Sequence, residues 1–116
     1  VEIMAEDEKT IQEFNRARQQ LLLVSNQKQQ LQMQVAAMSA ALKELEETNE
    51  EKVYKIVGNV MLKKDKTEVK KELEEAKKNL ESRIETLQKQ EDSLVNRLNK
   101  LKAKLEKSAE SKESSA

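Results

Sequence analysis

The chain has 116 residues, 38% of them charged and 2% aromatic, with one Gly, no Pro and no Cys. That composition fits a long helix or coiled coil and excludes a globule closed around an aromatic core, because the lone Phe14 and Tyr54 cannot fill one. Lys plus Arg equals Asp plus Glu at 22 each, so no net field recruits nucleic acid or an anionic membrane; without His or Cys there is neither a disulfide nor an ordinary zinc site.

From Phe14 the chain keeps a 3,4 spacing through Ala17, Leu21, Val24, Lys28, Leu31, Val35, Met38, Leu42 and Leu45, and nine of these ten positions are apolar. A 3.5-residue repeat keeps one stripe facing a partner, which is the seam of a left-handed coiled coil. The spacing predicts a first helix over 5–48, with Asn49 as its stop because Asn tolerates the left-handed conformation that often ends a helix.

Over residues 53–63 the pattern changes to β-branched residues around Gly58 and Asn59. This reads as a β-hairpin with a two-residue turn of type II′, Gly58 supplying the positive φ. Pairing Val57 with Val60 sets Ile56 opposite Met61 and Lys55 opposite Leu62. One face then carries Tyr54, Ile56 and Met61, the other Val53, Val57, Val60 and Leu62. Both faces are apolar and a lone ribbon leaves both edges unpaired, so strands from other chains are expected to complete it.

A second helix is expected over 66–107, opened by a capping box of Asp65 and Glu68. Its seam runs through Val69, Leu73, Ala76, Leu80, Ile84, Leu87, Leu94, Leu98, Leu101 and Leu105, with a stutter at Leu80 and Ile84 that locally unwinds the supercoil. Residues 108–116 hold only Ser, Lys, Glu and Ala, with no large apolar side chain, and read as a solvated, disordered tail.

Folding the chain back at Gly58 and Asn59 brings the two stripes together with residue numbers that sum to 114 or 115: Leu45 meets Val69, Leu42 meets Leu73, Leu21 meets Leu94, and Phe14 meets Leu101. Each arm is about 65 Å long at the helical rise, so the lengths match. The expected fold is mostly α, a long antiparallel two-helix coiled coil joined by one β-hairpin, with 1–116 as a single domain. A parallel dimer without the fold-back explains neither the glycine nor the constant sum.

Lys28 and Glu91 break the stripe near one another. The register predicts a contact between them across the seam; the alternative is that each side chain runs out to water along its methylene stem. Beyond Phe14 the seam positions are Thr10 and Asp7, so the arms are expected to part there, leaving Ile3, Met4, Ile11, Phe14, Leu101 and Leu105 partly exposed. Singly exposed apolar residues are also ordinary on protein surfaces.

No catalytic constellation can be assembled from these residues, and neither enzyme activity nor a cofactor is expected. Lysine pairs such as Lys70 and Lys71 are interleaved with Glu and lack aromatic neighbours, which argues against nucleic acid as a partner. No apolar run is long enough for a membrane span or a signal-peptide core, so the chain reads as cytoplasmic.

Val53, Tyr54 and Lys55, followed by the run from Val57 to Lys63 and set between two arms of this length, resemble the β-class subunits of prefoldin. The likeness covers residues from about 8 to 107. It implies a hexamer of two α-class and four β-class subunits, held by their hairpins, whose coil tips bind unfolded proteins without ATP and pass them to a group II chaperonin. Carried onto this chain, the assembly residues are Val53, Tyr54, Ile56, Val57, Gly58, Val60 and Leu62. The client-binding tips are Ile3, Met4, Ile11, Phe14, Leu101 and Leu105. The acidic Glu6, Asp7 and Glu8 depart from a purely apolar clamp. A different reading is a structural or tethering coiled-coil adaptor that docks through its hairpin on one fixed partner.

Overall fold

A 43-residue helix, α1 (Ala5–Glu47), leads into strands β1 (Lys52–Val57) and β2 (Val60–Asp65), and a second helix, α2 (Lys66–Ser114), follows without a linker. The computed structural model describes residues 5–114, and their side chains as far as Glu110. Ala, Leu, Gln, Glu and Lys dominate both helices and no Pro interrupts them. Glu6, Asp7 and Glu8 stand in the first turn of α1, where negative charge complements the helix dipole.

Two compact units divide the chain. Unit 1 takes the residues up to Lys28 together with those from Thr86 onward, and unit 2 is Gln29–Glu85. Within unit 1 the helices run antiparallel, as Ser25 Oγ donates to Glu91 Oε2 at 3.1 Å and Ser108 Oγ to Asp7 Oδ1 at 2.9 Å. Within unit 2, Lys70 Nζ lies 3.7 Å from Glu46 Oε1, and Lys66 Nζ donates to the Thr48 carbonyl at 2.8 Å. These pairs have residue-number sums between 114 and 116, so each unit keeps the register that the apolar stripes require.

Burial follows the same stripe. Every 3,4 position of α1 from Asp7 to Leu45 is buried or half-buried, with Ala17 and Leu31 the most enclosed apolar side chains among the described residues. The α2 positions from Val69 to Leu105 are half-buried, Glu91 among them. A two-helix seam cannot enclose a side chain on all sides, which is why the core is linear.

The hairpin register pairs Val57 with Val60, Ile56 with Met61 and Lys55 with Leu62, as expected. Gly58 has φ +60°, and no other described residue has a positive φ, which fits type II′ and excludes type I′. The ribbon is longer than the expected 53–63, because Tyr54 pairs with Lys63, Val53 with Lys64 and Lys52 with Asp65. The last of these pairs is also an ion pair that closes the root of the ribbon.

Four local expectations are overturned. The first helix ends at Glu47 rather than at a left-handed Asn49. Thr48 N–H instead continues the helical ladder to the Glu44 carbonyl at 3.1 Å, while the Thr48 hydroxyl accepts from Glu50 N–H at 3.3 Å. α1 has no basic residue in its last turn, and the Lys66 ammonium on the Thr48 carbonyl supplies the missing cation there.

The capping box does not close either, since the Asp65 carboxylate takes Lys52 and Glu68 faces Lys64 at 3.9 Å. The expected tail is helical through Ser114, because Ala, Glu and Lys are good helix formers and extending a formed helix is cheap compared with starting one. Nor do the arms part at Thr10 and Asp7. Thr10 is 3% exposed with its hydroxyl donating to the Glu6 carbonyl at 2.8 Å, and Asp7 receives Ser108. Polar layers replace apolar ones in the seam, and satisfied hydrogen bonds let them be buried.

Candidate functional site

The ribbon stands out in unit 2. Tyr54, Ile56, Val57, Val60, Met61 and Leu62 are all exposed, between 42% and 70%, while Val53 at the root is half-buried. β-Branched and aromatic residues favour the pleated backbone, Gly58 permits the reversal, and alternation sends apolar side chains to both faces. Two strands make up the whole sheet, so each has an unpaired edge. Six exposed apolar side chains beside two open edges offer a surface for strand addition or face packing.

The two faces are not equivalent. Lys55 and Lys64 share the face of Val57, Val60 and Leu62, and both reach the same carboxylate on α2. Lys55 Nζ donates to Glu72 Oε2 at 2.9 Å and Lys64 Nζ to Glu72 Oε1 at 3.3 Å. This fork ties the lower half of one face to the second turn of α2. Those two lysine bonds, Lys55 first, hold the Glu72 carboxyl below the usual glutamate range. At the ribbon root the bond from Lys52 to Asp65 raises the Lys52 ammonium above its ordinary value.

Every assembly residue read from the sequence lies on the ribbon. Met61 belongs with them, as the cross-strand partner of Ile56 and 63% exposed; the register arithmetic alone was enough to find it. Glu72 had no sequence signal of its own, because it is one glutamate among many on a charged helix face.

The tip residues scatter. Ile3 and Met4 lie outside the described residues. In unit 1, Ile11 is exposed while Phe14, Leu101 and Leu105 are half-buried along the seam. Further from the chain ends, Leu22 and Leu23 are 62% and 64% exposed, more than any described member of the tip set.

Unit 1 also contains the anticipated polar contact. Lys28 Nζ lies 3.0 Å from both oxygens of Glu91 and donates to Gln88 Oε1 at 2.9 Å, with the lysine and glutamate side chains 17% and 21% exposed. Its bond from Lys28 is the main reason the Glu91 carboxyl is lowered; partial burial opposes this and Ser25 adds to it. The pair is made, so neither side chain escapes to water.

No described helix is long and apolar enough to cross a membrane. Comparison with curated protein sequences returns no match. The family model described as "Prefoldin subunit" matches residues 8–112. Among solved structures, the chain is similar to the crystal structure of the prefoldin beta subunit from Thermococcus strain KS-1, with 31% identity and a TM-score of 0.86 over 92% of this chain and 95% of that one. Two long helices around one antiparallel hairpin, a matching family model over most of the length and a β-subunit structure of the same fold agree: this chain belongs to the prefoldin family of chaperone subunits, which assemble with one another.

Proposed function

We propose that this chain is a β-class subunit of a hexamer with two α-class and four β-class members, acting in the cytoplasm as an ATP-independent holdase. The observation that carries the reading is the ribbon, whose apolar side chains are exposed on both faces and whose edges are open. Partner ribbons bury what this one exposes, through Val53, Tyr54, Ile56, Val57, Val60, Met61 and Leu62, while Gly58 makes the turn. Non-native proteins are held near the open ends of the helices, at Ile3, Met4, Ile11, Phe14, Leu101 and Leu105, and are passed on to a group II chaperonin. Several weak apolar contacts hold an unfolded chain and still release it without nucleotide.

Native mass spectrometry of the full chain, with and without an α-class subunit, tests the assembly; a monomer under both conditions refutes it. Deleting residues 1–12 and 102–116 is expected to preserve assembly and weaken suppression of aggregation for several unrelated unfolded proteins. Tight binding to one folded protein, with no suppression of aggregation, would instead identify a tethering adaptor.

A further inference from the structure

The hydrogen bonds from Ser108 to Asp7 and from Ser25 to Glu91 bracket a stretch of unit 1 in which residues 8–24 of α1 run alongside 92–107 of α2. Residues 14–27 contain Arg16 and Arg18 and no acid; residues 93–105 contain Arg97, Lys100, Lys102 and Lys104 and no acid. Antiparallel register sets residues 93–105 against residues 10–22, which gathers six cations and one anion, Glu13, along both flanks of the seam within about 18 Å of helix at the usual rise. The chain as a whole is neutral, so this band is a local excess.

All six side chains are exposed. Among the described residues, none of the six has an ion pair or a side-chain hydrogen bond. In unit 2, by comparison, Lys55, Lys64, Lys70 and Lys77 each meet a glutamate. The contrast is written in the sequence: lysines alternate with glutamates over residues 63–81 and do not over 97–105.

Apolar side chains accompany the band. Leu22, Leu23 and Val95 are exposed in the same unit. Arg18 and Leu22 line one groove with Asn15 and Ser25, and Lys89, Arg97 and Lys100 line another with Asp92, Ser93 and Asn96, three cations against one carboxylate. We infer that this band docks an extended, acidic segment of a non-native polypeptide in which Asp and Glu alternate with apolar residues. This rests on the holdase reading and adds to it a preference in client chemistry and a site away from the ends of the helices.

Charge complementarity selects the occupant. Unpaired, solvated cations on a fixed helical spacing attract carboxylates over about 10 Å at 0.1 M salt, and exposed leucines beside them suit apolar neighbours of those carboxylates. Nucleic acid fits less well, because Phe14 is the one aromatic residue in this unit and is half-buried in the seam, which leaves no platform for stacking bases.

The test uses the full chain assembled with its partner subunits and three fluorescein-labelled probes: an unstructured 20-residue peptide of alternating Glu and Leu character, the same peptide with Lys for Glu, and a 20-nucleotide single strand. Anisotropy is expected to show the acidic peptide bound preferentially, and more weakly as salt rises from 50 to 300 mM. The triple variant Arg18→Glu, Arg97→Glu, Lys100→Glu is expected to weaken that binding by about tenfold or more and to favour the lysine peptide. A control of equal charge change, Lys43→Glu, Lys71→Glu, Lys78→Glu, is expected to bind like the parent, with circular dichroism checking that both variants stay helical.

Equal binding of the two peptides by the parent, or equal loss in both triple variants, overturns the inference; tighter binding of the nucleic acid assigns the band to that class instead. Suppression of client aggregation is measured in parallel. If suppression persists without a peptide preference, the band fails while the holdase reading stands. If the acidic peptide binds but aggregation is unaffected, the holdase reading fails and the band serves one acidic partner.

Discussion

The Lys28 ammonium sits 3.0 Å from both carboxylate oxygens of Glu91, with apolar seam residues Val24 and Leu31 on either side of it along α1. Each residue interrupts its own stripe and each satisfies the other. A pair of this kind sets register more than it adds stability, because any slip leaves a half-buried charge alone. Lys28→Met and Glu91→Leu are each expected to lower Tm, and the double variant to recover most of the loss. A double-mutant cycle followed by thermal circular dichroism measures this; additive effects would mean the two groups do not interact. Spin labels at Leu21 and Leu94 of the parent are expected to be near neighbours.

Acid should loosen both polar clamps. Glu72 and Glu91 have their carboxyls lowered in the folded chain, so the stability each contributes is present above the ordinary glutamate pKa and is lost as pH falls through the lowered value. Lys52 is raised, so its contribution is present below the ordinary lysine pKa and is lost as strongly alkaline pH passes the raised one. Glu72→Gln is expected to flatten the acid limb of Tm against pH and leave the alkaline limb unchanged. An unaltered acid limb would show that the fork to Lys55 and Lys64 does not hold the ribbon.

Gly58 is required for its backbone and not for space. A Cβ there meets nothing within 4 Å, yet φ is +60°. Gly58→Ala is therefore expected to cost about 1–2 kcal/mol, the price of the left-handed region for an L-residue, and Gly58→Asn less. Chemical denaturation measures the cost, and a D-alanine placed there by chemical synthesis should restore stability. If L-alanine proves as stable as glycine, the turn is not type II′.

Burial separates leucines that composition treats alike. Leu31 is among the most enclosed side chains and Leu22 is 62% exposed. Leu31→Ala is expected to destabilise by about 2–4 kcal/mol, and Leu22→Ala by about 0.5 kcal/mol or less. Urea unfolding of the two variants side by side tests this, and similar midpoints would contradict the seam.

Much of this molecule was legible before its structure, because the features concerned are periodic. A 3,4 spacing identifies a helix seam, alternation around Gly58 and Asn59 identifies a ribbon, and a constant residue sum pairs the two arms. The contact between Lys28 and Glu91 followed as the one place between Phe14 and Leu45 where both stripes break. Met61 was available from the same arithmetic, as the partner of Ile56.

What the sequence by itself determined is therefore the order of elements, the reversal and the register, since each depends on a repeat that local geometry enforces. Tertiary structure alone decided which of many similar charges found partners. Glu72 receives two lysines because a ribbon face and a helix turn converge on it, and Asp65 abandons its capping box because Lys52 stands opposite it across the ribbon. The seam continues past Thr10 where Ser108 reaches Asp7, a bond between residues 101 positions apart. Periodicity sets the fold, but pairing among exposed charges is a question of distance, and distance is known only once the chain has folded.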